Sequence, residues 1–152
     1  MDRRQDLVVV AKTIIDSNLY MTLGTADEAG RPWVSPVYYA TAEYGEFFWV
    51  SSPEATHSLN LAARPQLAIV IFDPRAPVGA GQAVYISAVA EELGGNDLER
   101  GIDVYSGRSQ AHGAGRWTLD DVTSPARLRL YRATASEHSV LGEKDQRTPV
   151  YL

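Results

Sequence analysis

Over the first seventeen positions, Leu7, Val8, Ala11, Ile14 and Ile15 recur at helical spacing, and Arg3, Arg4, Lys12 and Asp16 take the other side. This pattern predicts an amphipathic helix over residues 2–17, suited to covering an open end of a sheet. Beyond it the period shortens to that of strands. Residues 19–25 are apolar and β-prone, 27–30 (DEAG) are a turn signal, 31–41 read as a second strand, 43–46 as a second turn and 47–51 as a third strand. Ser51, Ser52 and Pro53 then open a predicted helix. Ser51 with Glu54 fits a capping box, and proline is tolerated in a first turn because its missing N–H has no helical partner there.

Residues 66–72 (QLAIVIF) form a β-branched apolar run that stops at Asp73-Pro74, which predicts a buried strand. Residues 73–81 read as a loop. Its Val78–Gly81 piece is not a dinucleotide-binding turn, which must sit directly between a strand and a helix. Over 82–93, Val84, Ile86, Ala88 and Ala90 alternate with Tyr85, Ser87, Val89 and Glu91, the pattern of a strand with one face on the core. Gly94-Gly95 break it. Asn96 or Asp97 then caps a predicted helix ending near Tyr105, followed by a glycine-rich stretch, 106–115, expected to be a mobile loop able to gate a site. A short helical turn capped by Thr118 and a last strand over 125–136 complete the reading, and the tail after His138 shows no strong period. About six strands in hairpin order predict an antiparallel sheet that closes into a small barrel, an α+β domain with flanking helices.

Composition narrows the chemistry. A chain of 152 residues, 45% apolar and 22% charged, suits one globular domain over 1–152. A net charge of −5 argues against a nucleic-acid partner, and the absence of cysteine excludes disulfides and thiolate chemistry. His57, His112 and His138 are far apart and lie in no HxH or HExxH pattern, so no metal site is expected. The N-terminal apolar run is too short to span a membrane and no cleavage site follows it, so a cytoplasmic address is the expectation.

The order of pieces, GRPWVSPVYYA, then FFWVSSPEATHSLNLAARP, a buried strand and QAVYISAVAEEL, resembles the FMN-binding split-barrel family related to pyridoxamine 5′-phosphate oxidase, over roughly residues 7–135. The resemblance implies a six-stranded antiparallel split β-barrel and a homodimer with FMN in a groove between subunits. In some members F420 or haem replaces FMN. It implies that Trp33, Val34, Ser35, Pro36 and Val37 meet the flavin ring, that Trp49, Val50, Ser51 and Ser52 run beneath the ribityl chain, and that Thr56, His57, Ser58 and Asn60 surround the phosphate. Gln82 would reach the ring from the partner subunit.

The residues themselves leave alternatives. Trp33 and Trp49 read equally as core or dimer packing, Ser35 and Ser51 as outward strand serines, and His57 as a surface helix histidine. The oxidase has an arginine–lysine pair where this chain has Thr56 and His57, so phosphate binding should be weaker unless Arg31, Arg64, Arg75 or a partner arginine compensates. It also has an arginine and a lysine where this chain has Ser35 and Ala40, so a true pyridoxamine phosphate oxidase is not expected. No residue reads as an acid–base or nucleophilic catalyst, which suits a protein whose cofactor carries the redox chemistry. The expectation is a flavin-dependent oxidoreductase acting on a small molecule. The alternatives are a non-catalytic flavin, F420 or haem binder, or an F420-dependent reductase.

Overall fold

The computed structural model describes residues 2–152. Helix α1 (Arg3–Ser17) leads into β1 (Tyr20–Ala26), β2 (Pro32–Tyr38), β3 (Ala40–Ala42) and β4 (Glu46–Ser51). Helix α2 (Thr56–Ala63), β5 (Gln66–Phe72), β6 (Ala83–Glu92) and α3 (Gly95–Ala111) follow, then β7 (Arg129–Leu141) and β8 (Arg147–Val150). All pairings are antiparallel, in the order β2-β1-β5-β6-β7-β4-β3, with β8 added to β7. The long β6–β7 ladder carries a register shift between Ser87 and Ala88. Such a bulge increases local twist and bends the sheet, which curls into a half-barrel. Among the described residues no helix is long and apolar enough to cross a membrane.

The curl has two cores. Inside it, Met21, Leu23, Ile69, Ile71, Val84, Ile86, Phe47 and Trp49 pack with Ala11 and Ile15 of α1, which covers the open side. On the outside of β4, Phe48 and Leu130 pack with Ile102 and Tyr105 of α3. Strand β4 is therefore buried on both faces, and its continuous aromatic run Phe47, Phe48, Trp49 fills both cores. Gly101 lets α3 come close, since a Cβ there would lie 3.0 Å from atoms of Phe48, Leu93 and Leu130.

Arg108 joins the two halves. Its guanidinium donates to Asn18 O (2.7 Å), Tyr39 O (3.2 Å) and Asp16 O (3.3 Å), and stacks over the Tyr39 ring at 4.6 Å. Tyr39 is fully buried and donates its hydroxyl to Ile15 O at 2.5 Å. Burial pushes its phenol up to about 12, so it keeps that proton. Around Arg132 a second polar group forms. It pairs with Glu46 (3.1 Å), Glu91 and Asp97 (3.5 Å), and Arg100 also holds Glu46 at 2.6 Å.

Four expectations need correction. Among the described residues the strands number eight rather than about six: the predicted strand 31–41 breaks at Tyr39, and the tail supplies β8. The predicted capping box does not form, because Ser51 is still strand and its hydroxyl is engaged by His57. Instead Ser52 Oγ accepts from Glu54 N–H, and α2 starts at Thr56 with Ala55 as its N-cap. Helix α3 begins after Gly94 rather than at a capped Asn96 or Asp97. It also runs to Ala111, so residues 106–111 are helical. Ser106 Oγ accepts from Trp117 N–H at 2.8 Å, which pins the segment expected to be mobile. The turn at Thr118 is present, with the Asp121 carboxylate accepting from its N–H and hydroxyl.

Arg108→Met should lower stability by about 1–3 kcal/mol, because a charged donor to three carbonyls is lost. The urea midpoint should fall with the slope unchanged, and Arg108→Lys should recover only part of it, since an ammonium lacks the planar fork.

Candidate functional site

The two ends of the curled sheet meet without joining. Strand β2 is hydrogen-bonded to β1 alone, and β3 covers β4 only from Glu46 to Phe48. Trp49, Val50 and Ser51 therefore have a free side, and β2 approaches β4 there without pairing. Free strand edges present N–H and C=O groups in a row. Pro32 and Pro36 lack that N–H, which suits an edge that does not zip closed. The first turn of α2 closes one end of this seam. Its N-cap, Ala55, makes no side-chain cap, so the first-turn N–H groups keep their partial positive charge for a ligand.

The predicted residues separate by direction. On β2, Trp33, Ser35 and Val37 share the inner face and Val34 and Pro36 the outer one. Trp33 is half exposed and Val34 more so, whereas Val37 is buried. The Trp49 side chain is fully buried and stacks on Tyr131 with centroids 5.6 Å apart, so only its backbone meets the seam. Val50 is half-buried and packs toward α3, while Ser51 and Ser52 end the strand at α2. Of the four polar residues of α2, Thr56 is exposed and the other three turn inward. His57 Nε2 lies 2.8 Å from Ser51 Oγ, and Asn60 Nδ2 donates to Thr25 Oγ1 at 3.1 Å. Ser58 Oγ is buried without a hydrogen bond, near the Tyr131 hydroxyl in a cleft behind the helix. Gln82 is exposed on the β5–β6 loop. That loop is at the end of the sheet opposite α2, so one protomer does not bring Gln82 to the seam.

The seam's charge is sparse. Arg31 is held by Asp27 at 2.8 Å, Arg64 donates to Glu28 O at 2.9 Å, and Arg75 is held by Asp73 at 3.2 Å. Arg129 stands opposite Ser51 in the β4–β7 register, and its guanidinium donates to Ala126 O at 2.6 Å and Leu128 O at 2.7 Å. Burial lowers the pKa of His57, so the ring is neutral as it meets Ser51. Among the described residues no group of three His, Asp or Glu could hold a metal ion.

The sequence model of the pyridoxamine 5′-phosphate oxidase family matches residues 10–139, and the chain belongs to that family. No curated protein matches it. Among solved structures, a heme binding protein from Mycobacterium smegmatis superposes with a TM-score of 0.73 at 23% identity, over 91% of this chain and 55% of that one. This chain thus spans about half the length of that relative. HutZ, the heme storage protein from Vibrio cholerae, gives 0.68 at 22% identity, over 86% and 90% of the two chains. A FAD-binding protein from Mesorhizobium loti gives 0.65 at 20%, over 87% and 91%. At these identities the likeness establishes the split-barrel fold alone.

The His57 environment generates a pH dependence. Its folded pKa lies below the unfolded value of about 6.5, so the native state resists protonation. Its contribution is complete above that value and is lost as pH falls through the folded pKa. Urea midpoints should therefore drop between about pH 7.5 and pH 5.5, and the drop should be shallower in His57→Gln, which cannot titrate.

Proposed function

We propose that this member of the pyridoxamine 5′-phosphate oxidase family binds FMN along the β2–β4 seam and works as a flavin-dependent oxidoreductase on a small molecule. The observation that carries the reading is the seam itself: two unpaired strand edges, a half-exposed Trp33 beside them and an uncapped helix start at one end. The edges suit the polar rim of a flavin ring, Trp33 offers it an aromatic surface, and Thr56 with the α2 N–H groups suits a phosphate. When bound, the flavin would supply the hydride or electron transfer, and the chain's residues hold and orient it. The seam favours flavin over haem. Haem iron takes an axial side chain such as histidine, and His57, the histidine at this corner, is buried against Ser51. Ser35 and Ala40 in place of the oxidase's arginine and lysine support a substrate other than pyridoxamine phosphate.

A second copy of the chain completes the reading. Val34, Pro36, Gly24, Ala68, Val70 and Val89 share the outer face of β2, β1, β5 and β6. Val34 is 69% and Val89 49% exposed, and nothing within the described chain covers them. An apolar, small-residue sheet face of this kind suits an isologous dimer.

Two experiments test these points. Purified protein given FMN, riboflavin, F420 or haemin and then desalted should retain FMN, as read from its visible spectrum. FMN should bind about tenfold tighter than riboflavin, and Thr56→Glu should erase that difference by setting a carboxylate at the phosphate position. Retention of haemin or F420 in place of FMN would move the function to those cofactors, and retention of none would remove the reading. Light scattering should give twice the chain mass, and Val34→Asp should halve it.

A further inference from the structure

We propose that the cleft behind α2 binds a small primary ammonium with an apolar body, its charged head at Glu92 beside the Tyr131 and Ser58 hydroxyls. The cleft has a volume of about 350 Å³ and lies between α2, with a proline on either side of it, and the ends of β6 and β7. Pro53, Leu61, Ala62, Pro65 and Ala90 make its apolar walls. A space of this size suits a single ring or a short chain. Ala90 and Glu92 share the inner face of β6, and Tyr131 stands opposite Glu92 on β7. The cleft is therefore roofed by α2, on the side of the sheet away from the outer face proposed for the second copy.

The polar groups of the cleft gather on Tyr131. Its ring stacks on Trp49 in the barrel, and its hydroxyl lies near the Ser58 side chain. Ser58 is 3% exposed, and its Oγ has no hydrogen-bond partner. A buried hydroxyl is almost always paired, so this wall is one built to meet a polar group. Residues directly opposite across an antiparallel ladder carry their Cβ atoms about 4.5–5.5 Å apart on one face. Glu92 therefore sets its carboxylate along the Tyr131 side chain, and its charge is felt at the phenol. Burial raises the pKa of that phenol, so it stays neutral and leaves Glu92 as the anion. Glu91, the other carboxylate at the mouth, is held by Arg132, whereas Glu92 makes no ion pair among the described residues. Arg129, two positions before Tyr131, is engaged with backbone carbonyls and does not line the cleft. One unpaired carboxylate, two hydroxyls and no lining cation match an ammonium and oppose an anion. The cleft includes no residue of the free strand edges, so it stands whether or not the seam takes flavin.

The test is calorimetric titration of the full chain with 2-phenylethylammonium and with the neutral, isosteric 2-phenylethanol. At low salt the ammonium should saturate and bind about threefold to fivefold tighter than the alcohol, the size expected of an ion pair at an exposed carboxylate. Added salt at about 0.5 M should remove most of that difference. Glu92→Gln should abolish the preference and leave the alcohol unchanged. Ser58→Ala should weaken both probes severalfold without lowering the melting temperature, since it removes a buried hydroxyl that has no partner in the chain. Ala62→Phe, at an exposed wall position of α2, should abolish the binding of both. The proposal is overturned if the ammonium does not saturate, if it binds no tighter than the alcohol, if Glu92→Gln keeps the preference, or if Ser58→Ala or Ala62→Phe binds both probes as the native chain does.

Discussion

The corner at Tyr39 is the constraint from which the seam follows. Tyr39 is buried in the barrel with its hydroxyl on Ile15 O, while Ala40 turns to the second core beneath α3. The chain cannot serve both cores as one straight strand, so β2 and β3 part there. Arg108 holds the corner from outside, bonding Tyr39 O and the carbonyls at the end of α1. Were the chain to continue straight, the β3–β4 register would run on and pair the second edge of β2 with β4. Because it turns, β2 keeps β1 as its one partner and leaves its other edge free beside β4.

The polar residues around α2 mostly hold the helix, which leaves few of them for the proposed ligand. His57 on Ser51 and Asn60 on Thr25 fasten α2 to β4 and β1. A short helix gains little stability from its own hydrogen bonds, so these side-chain contacts and the burial of Leu61 set its place. On the proposed reading a phosphate would be left with the helix's own N–H groups and the exposed Thr56. That is a weak anion site, consistent with a net charge of −5 and with the engagement of Arg31 and Arg64 elsewhere.

Local signals made part of this legible. Strand β5 has the predicted bounds because Pro65 and Asp73-Pro74 mark its ends, and the alternation of β6 matches its buried face. The break at Tyr39 was not readable, because VYYAT is a continuous β pattern and the residue holding the corner lies 69 positions away. Helix α3 looked shorter because Ser106 and Gly107 lower helix propensity, yet Arg108 and the buried Ser109 tie its last turns to the body. Strand β8 contains Pro149 and exists only as an edge on β7. At the site, the order of elements was legible and side-chain direction was not. Trp49 and Ser58 turn inward because β4 is buried on both faces and α2 lies flat on the sheet, facts that depend on tertiary packing.

On the proposed reading, one protomer makes an incomplete site. Gln82 lies at the Tyr20–Phe72 end of the sheet, while the seam closes at the α2 end. Within one chain these ends cannot meet. A two-fold axis lying parallel to the outer face of β1, β2 and β5 and across their strands would set the two faces against each other and reverse the strand direction of the second copy. In the proposed dimer that reversal would bring the β5–β6 loop of one protomer toward the α2 end of the other. Val34 and Pro36 would then lie under the partner, on the strand whose free edge borders the seam, and covering them would shed water from that edge. Desolvation strengthens each hydrogen bond the edge makes to a ligand, so assembly and ligand binding would favour one another through the same strand.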